Sequence, residues 1–161
     1  MRPLRHEVVK VLPYTPEQLF ALVGDVKRYP EFVPWLIGLR TWNEREASPG
    51  VQQLDAEATV GFKLFKERFS TRVRRDAEQR RIDVTLLSGP FHKLANRWTF
   101  HPDPGGTRVE FHIEFAFKSR ILEALLAANF AHAVERLIGC FEARAQALYG
   151  AQPPAVGARQ A

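Results

Sequence analysis

The stretch TRVEFHIEFAFKSRILEALLAANFAHAVERL, residues 107–137, contains the change of pattern that decides the fold. Up to residue 117 apolar and polar side chains alternate, which is typical of a strand with one buried face. From residue 120 the apolar side chains recur every three or four positions, which predicts one long amphipathic helix ending at residue 149. The first half of this helix is apolar around most of its circumference, which is more than a single buried face requires.

The alternating pattern also occupies residues 36–46 and 51–106, in segments separated by Gly, Pro and Asp turn signals. Short turns join antiparallel neighbours, so we predict a meander of about six strands. Residues 6–13 form a further strand at the start of the chain. A short helix follows it, with Thr15 as N-cap and Gln18 at the capping-box position.

Only the C-terminal helix is long enough to cover the apolar face of such a sheet. We therefore predict an α+β fold of the helix-grip type: a curved antiparallel sheet of about six or seven strands around one long C-terminal helix, with short helices after the first strand. The chain of 161 residues is expected to form one domain. We assign residues 1–149 to that domain and predict a disordered tail over residues 150–161.

Composition limits the location and the partners of the protein. Cys140 is the single cysteine and cannot form an intramolecular disulfide. The chain contains neither a signal-peptide pattern nor a run of roughly 18 to 20 apolar residues. We therefore expect a cytoplasmic protein, at most peripheral at the inner face of the membrane. The net charge of +5 permits contact with an anionic membrane or with RNA and requires neither.

The sequence leaves two interpretations of the space between sheet and helix. Ala56 and Ala58 on the inward side of one strand allow either close approach of the helix or a cavity for an apolar ligand. The stretch YPEFVPWL, residues 29–36, supplies rings that form either ordinary core or the edge of a pocket. Asn96 breaks the inward apolar pattern, so its amide either bonds within the protein or donates to a ligand oxygen.

The sequence contains no motif that indicates catalytic chemistry. The five histidines show no metal-ligand spacing, and no nucleophile or phosphate-binding motif is present. Glu110 and Glu114 share the polar side of their strand and are expected to face water. Because we expect almost no ionisable group on the apolar side of the sheet, we predict a protein that is not an enzyme, with no metal and no required cofactor.

A turn at residues 61–66 (GFKLFK) combines apolar side chains with lysines, where turns normally carry polar residues. It either folds back on its own core or contacts an anionic membrane surface. The candidate membrane-contact residues are Phe62, Lys63, Leu64, Phe65 and Lys66.

A second surface is rich in arginine and spans a predicted hairpin. It is either a solvated strand face or a contact surface for RNA, since phosphate binding needs clustered cations. The candidate RNA-contact residues are Arg72, Arg74, Arg75, Arg80 and Arg81.

Three motifs occur in a fixed order: YPEFVPW at 29–35, GPFHKLANRWTF at 89–100 and VEFHIEFAF at 109–117. Together they resemble the coenzyme Q-binding protein family of the START-like, polyketide cyclase/dehydrase superfamily, whose bacterial members are also described as ribosome association toxins. The resemblance covers about residues 3–148. The family motif often continues with Cys, where this chain has Leu36, so no role for that thiol applies here.

The resemblance implies a deep hydrophobic cavity that holds ubiquinone or a related polyprenyl lipid, as a quinone chaperone or carrier supporting respiratory electron transport. It also implies an alternative, a regulator that associates with ribosomal subunits through a basic surface. We expect no DNA partner. We expect these residues to line the ligand site: Tyr29, Phe32, Pro34, Trp35, Val60, Phe62, Leu64, Phe91, Leu94, Asn96, Trp98, Leu122, Leu125, Leu126 and Phe130.

Overall fold

The computed structural model of the protein describes residues 3–62 and 65–150, so the predicted tail over residues 150–161 lies, apart from Gly150, outside the described residues. One antiparallel sheet of seven strands is accompanied by helices, which confirms the predicted α+β helix-grip architecture. The elements are β1 (Leu4–Leu12), α1 (Pro16–Gly24), a 3-10 helix (Val26–Glu31), β2 (Leu36–Ser48), β3 (Val51–Phe62), β4 (Phe65–Asp76), β5 (Arg81–Ser88), β6 (Phe91–Asp103), β7 (Gly106–Phe117), α2 (Arg120–Ala127) and α3 (Phe130–Tyr149).

The order of the strands in the sheet is β1-β7-β6-β5-β4-β3-β2. After β1 the chain crosses to the far edge through α1 and the 3-10 helix, and each later strand then folds back beside the one before it. The last strand returns to the first, with Leu4 opposite Phe115 and Leu12 opposite Thr107. The predicted meander is therefore confirmed, and β1 and β2 are its two edges.

The start of α1 follows the pattern expected from its sequence. The Thr15 hydroxyl accepts the Gln18 backbone N–H at 3.1 Å, and the Gln18 side-chain oxygen accepts the Thr15 N–H at 2.9 Å, which confirms the capping box. The helix ends at Gly24, whose carbonyl accepts a hydrogen bond from the Arg75 guanidinium at 3.0 Å. Arg75 thus ties the end of α1 to β4.

The C-terminal helix differs from the prediction in one respect, because the chain leaves the helix at residues 128–129 and forms α2 and α3. Asn129 takes the N-cap position of α3, and the Phe130 ring packs against the Phe115 ring at 4.6 Å between centroids. α2 lies against β7, whereas α3 lies against β1 and α1.

Candidate ligand-binding site

One end of the concave face, which we call the packed end, is closed by aromatic contacts. The Trp98 ring lies 4.4 Å from Phe111 and 4.9 Å from Phe141 of α3. Trp98 is buried, and a cavity of about 20 Å³ beside these rings has room for a single water molecule. Trp98, expected to line the ligand site, is therefore a core residue at an end that is too tightly packed for a lipid.

Five phenylalanines cover the opposite end of the concave face, and we call them the phenylalanine cluster. Their centroids lie 4.6–6.1 Å apart in successive contacts, mostly edge to face. The cluster consists of Phe69, Phe91, Phe115, Phe117 and Phe130. Phe91 and Phe130, predicted to line the site, lie in this cluster, and Leu94 is paired with Phe115 in the adjacent strand. The alternation in β4 and β7 identified the other three as inward-facing but not as part of a ligand wall.

Between the two ends a row of three inward-facing residues is incompletely covered. Val84, Asn96 and Ile113 are directly opposite one another on β5, β6 and β7. Each remains half-buried, although the inward neighbours Trp98 and Phe111 are buried. We call Val84, Asn96 and Ile113 the half-exposed row, and their incomplete cover is what the cavity interpretation predicts.

Asn96 is the polar member of this row, and its Oδ1 atom is buried with no hydrogen-bond partner in the described part of the chain. A buried acceptor left without a donor costs about 1–3 kcal/mol. Bonding of this oxygen within the protein, one of the two predicted alternatives, is therefore not what the structure shows. The unpaired oxygen is therefore compatible with the second alternative, a contact of the Asn96 amide with a ligand.

The inward side of β1 corrects one expectation, because it carries two ionisable groups. His6 Nε2 lies 3.4 Å from Glu135 Oε2, and Lys10 Nζ donates to Glu142 Oε1 at 3.0 Å. Both partners belong to α3, so these contacts hold that helix over the edge of the sheet. The parity of His6 and Lys10 with the buried Val8 was the signal in the sequence.

The stretch from Tyr29 to Leu36 divides into two parts. Tyr29 and Phe32 each pack edge to face on Phe141 of α3 at 5.2 Å, which places both partly buried rings against the core. The Tyr29 hydroxyl donates to the Val23 carbonyl, and burial raises the pKa of this hydroxyl above its usual range.

Trp35, by contrast, connects the sheet with α3. Its carbonyl accepts the Gly61 N–H at 2.9 Å, and the Arg136 guanidinium lies 5.4 Å from its ring centroid. The half-buried Trp35 and the exposed Pro34 thus stand where the end of β3 meets the helix. Val60 and Leu122 are also partly buried, at the end of β3 and in α2.

Several predicted residues fall outside what the structure describes. Lys63 and Leu64 are not among the described residues, and for Phe62, Phe65, Leu125 and Leu126 only the backbone is described. The proposed membrane contact of the turn at residues 61–66 therefore remains a prediction, and its described lysine, Lys66, is exposed.

The five arginines of the predicted RNA-contact surface differ in their contacts. Arg72 donates two hydrogen bonds to Asp55, at 2.9 and 3.2 Å, and they lower the pKa of that carboxyl group. Arg75 points to the concave side, toward α1. Arg80 pairs with Glu17 at 2.7 Å and Arg81 with Asp83 at 3.0 Å. Arg74 alone of the five is exposed with no ion pair to any described residue.

The predicted outward carboxylates are engaged with cations. Arg108 donates to Glu110 at 3.0 Å, and Glu114 pairs with Lys93 and with Arg5. These hydrogen bonds lower the pKa of both carboxyl groups. Within residues 3–62 and 65–150, no group of three or more His, Cys, Asp or Glu side chains is arranged to hold a metal ion, and no described helix is long and apolar enough to cross a membrane.

A family model described as polyketide cyclase / dehydrase and lipid transport matches residues 12–142, so the chain belongs to this family. A START superfamily protein from Mycobacterium smegmatis has the same fold, with a TM-score of 0.71 at 20% identity over 91% of this chain and 98% of that one. An aromatase/cyclase from Streptomyces also shares it, with a TM-score of 0.66 at 16% identity over 90% and 93%. The polyketide cyclase/dehydrase family predicted from the three motifs is confirmed, and the two structures share the predicted fold.

Closer relatives narrow the comparison. The ribosome association toxin RatA of Rickettsia prowazekii is 36% identical over 89% of this chain and 97% of that protein. The mitochondrial coenzyme Q-binding protein COQ10 of Dictyostelium discoideum is 31% identical over 89% of this chain and 70% of that protein. The solution structure of an 18 kDa protein from Caulobacter crescentus is 61% identical, covers 92% of this chain and 99% of that chain, and has a TM-score of 0.77.

Proposed function

We propose that this protein binds the hydrocarbon chain of a polyprenyl lipid, ubiquinone or a close relative, above the half-exposed row and releases it chemically unchanged. The observation that carries the proposal is the row itself: Val84, Asn96 and Ile113 face the concave side without full cover, and the Asn96 oxygen has no partner among the described residues. The similarity to a coenzyme Q-binding protein supports the choice of ligand.

In this proposal the phenylalanine cluster and the half-exposed row contact different parts of the ligand. Each methylene buried against the phenylalanine cluster contributes about 0.8 kcal/mol, so an isoprenoid chain needs no charged anchor. Asn96 supplies the polar contact for the head group. Its amide accepts from a hydroxyl group through oxygen or, rotated by half a turn, donates to a quinone carbonyl through nitrogen.

We propose no chemical reaction at this site, although an aromatase/cyclase has the same fold. A general acid or base must reach the substrate. The ionisable groups on the inward side of β1, His6 and Lys10, contact carboxylates of α3. Their contacts support a role in holding the helix.

The proposal is tested by mass spectrometry of an organic extract of the purified protein and by titration with ubiquinone. Ile113→Trp fills the space above the row and should weaken ubiquinone binding about tenfold or more, because the ring occupies the ligand's volume. Val9→Trp is the matched control, since Val9 is 55% exposed on the outer face of β1. The proposal fails if no lipid is extracted and added ubiquinone does not bind.

A second candidate function is association with ribosomal subunits through a basic surface. The name of the Rickettsia prowazekii relative and the net charge of +5 favour it. Arg74 is the residue to test, because it is exposed and its loss breaks no ion pair with the described residues.

If the protein binds ribosomal subunits through this surface, Arg74→Glu should abolish cosedimentation with them, while Ile113→Trp should leave it intact. Arg74→Gln serves as the conservative variant and should give an intermediate effect, since phosphate contact depends on charge. Cosedimentation that is equally strong in wild type and Arg74→Glu would exclude this surface.

A further inference from the structure

We propose that one end of the sheet docks on an anionic lipid bilayer. This open end is where β3, β5 and β7 finish and where β2, β4 and β6 begin. The docking surface consists of three exposed apolar side chains and four exposed cations: Ile37, Leu87, Ile121, Lys66, Arg68, Lys118 and Arg120. The inference goes beyond the proposed cargo, because it concerns a partner surface and is measured without any bound ligand.

The apolar side chains are placed at the open end by three different elements. Ile37 is the second residue of β2 and is 56% exposed, and Ile121 is the second residue of α2 and is 81% exposed. Leu87, near the end of β5, is 42% exposed. Exposure of these apolar side chains to water is unfavourable, whereas their insertion among acyl chains is favourable.

The cations at this end differ from most arginines elsewhere on the sheet. Most of those are paired, as Arg40 is with Glu57 at 2.9 Å and Arg97 with Asp83 at 2.6 Å, although Arg74 is not paired with any described residue. Lys66, Arg68 and Lys118 are exposed and, like Arg120, form no ion pair with any residue that the structure describes. Unmatched cations beside exposed aliphatic chains complement the phosphate head groups and the acyl chains of an anionic bilayer.

Two carboxylates, Glu67 and Glu123, lie at the same end, so four cations against two anions leave this surface with a net positive charge. Both carboxylates are half-buried, whereas the cations are exposed, so the outermost charge is positive. RNA would use the cations but would leave Ile37, Leu87 and Ile121 without a role, since nucleic-acid sites combine cations with aromatic stacking. The apolar part of the surface therefore favours a membrane.

Vesicle flotation tests the inference. The protein should float with vesicles of phosphatidylcholine mixed with phosphatidylglycerol, not with phosphatidylcholine alone, and added salt should weaken the binding. Ile121→Glu and the double variant Lys118→Glu/Arg120→Glu should each reduce binding about tenfold or more. Val11→Glu is the matched control for Ile121→Glu, and Arg74→Glu is a single charge-reversal control, because both positions are exposed and lie away from the open end.

Thermal unfolding of each variant shows whether Ile121→Glu disturbs α2. In that case Leu87→Glu replaces it and should also reduce vesicle binding. The inference is overturned if wild-type protein binds neither vesicle, or if the control variants lose binding equally. It is also overturned if the protein binds ribosomal RNA through these cations and Ile121→Glu changes nothing. A failure to extract lipid with vesicle binding intact would refute only the proposed cargo.

Discussion

At the scale of single residues, Asp55 is a charged residue that the sequence pattern predicts to be exposed but that the structure buries. The alternation in β3 predicts that Asp55 faces water, and it does lie on the outer side, yet it is only 4% exposed. Arg72 covers it from β4, and the Asn43 amide donates to it at 3.1 Å from β2. The alternating pattern identifies the face of the sheet on which Asp55 lies. It does not show that side chains of neighbouring strands cover this carboxylate.

The ion pair of Asp55 makes stability depend on pH in the acid range. The pKa of Asp55 is lowered from its ordinary value of 3.8, chiefly by the hydrogen bond from Arg72. A lowered pKa means that the pair stabilises the fold fully above the unfolded-state pKa and progressively less as pH falls through the lowered value.

We therefore expect the wild type to lose stability below about pH 4 more steeply than Asp55→Asn. The free energy of unfolding in urea, measured at neutral pH and near pH 3, checks this expectation. Parallel pH profiles for the two proteins would contradict it.

Asn96 yields the second prediction at this scale. Because its oxygen has no partner among the described residues, Asn96→Leu should leave the free energy of unfolding unchanged or raise it. The same change should weaken ubiquinone binding about tenfold, since the head group loses its polar contact. Urea unfolding and ubiquinone titration measure the two effects, and a clear loss of stability would mean that the amide is bonded inside the protein.

At the scale of elements, the strands were predictable because an alternating side-chain pattern with one apolar face fits only a half-buried strand. The break between α2 and α3 was not, since residues 120–138 contain neither Gly nor Pro. The contact that accompanies the break, Phe130 on Phe115, joins two different elements and cannot be read from a local pattern. The stretch at residues 29–36 was likewise ambiguous, because its rings needed Phe141 on α3 as a partner.

At the scale of the whole molecule, the two ends of the concave face are packed differently. The packed end carries buried rings around a space no larger than one water molecule, so it supplies stability. In the proposed function, the phenylalanine cluster and the half-exposed row serve binding. The sequence placed all these side chains on one face of the sheet, but the division into two ends depends on where the helices lie.

This division predicts opposite outcomes for the same kind of change. Phe141→Ala at the packed end should destabilise the protein by about 3–5 kcal/mol, because it opens a cavity among buried rings. Phe91→Ala should cost less, because Phe91 is only half-buried, but should weaken ubiquinone binding. Thermal unfolding and ubiquinone titration of both variants check this, and equal stability losses would contradict the division.

The pairing of the first strand with the last has a consequence for how the protein folds. Leu4 finds its partner Phe115 only after nearly the whole domain has been synthesised, so β1 stays unpaired while the other strands assemble. Contacts between such distant positions make folding slow, in the range of milliseconds to seconds for sheet-rich domains. We therefore expect the sheet to close late in folding, with the edge of β7 open to pairing with another chain until then.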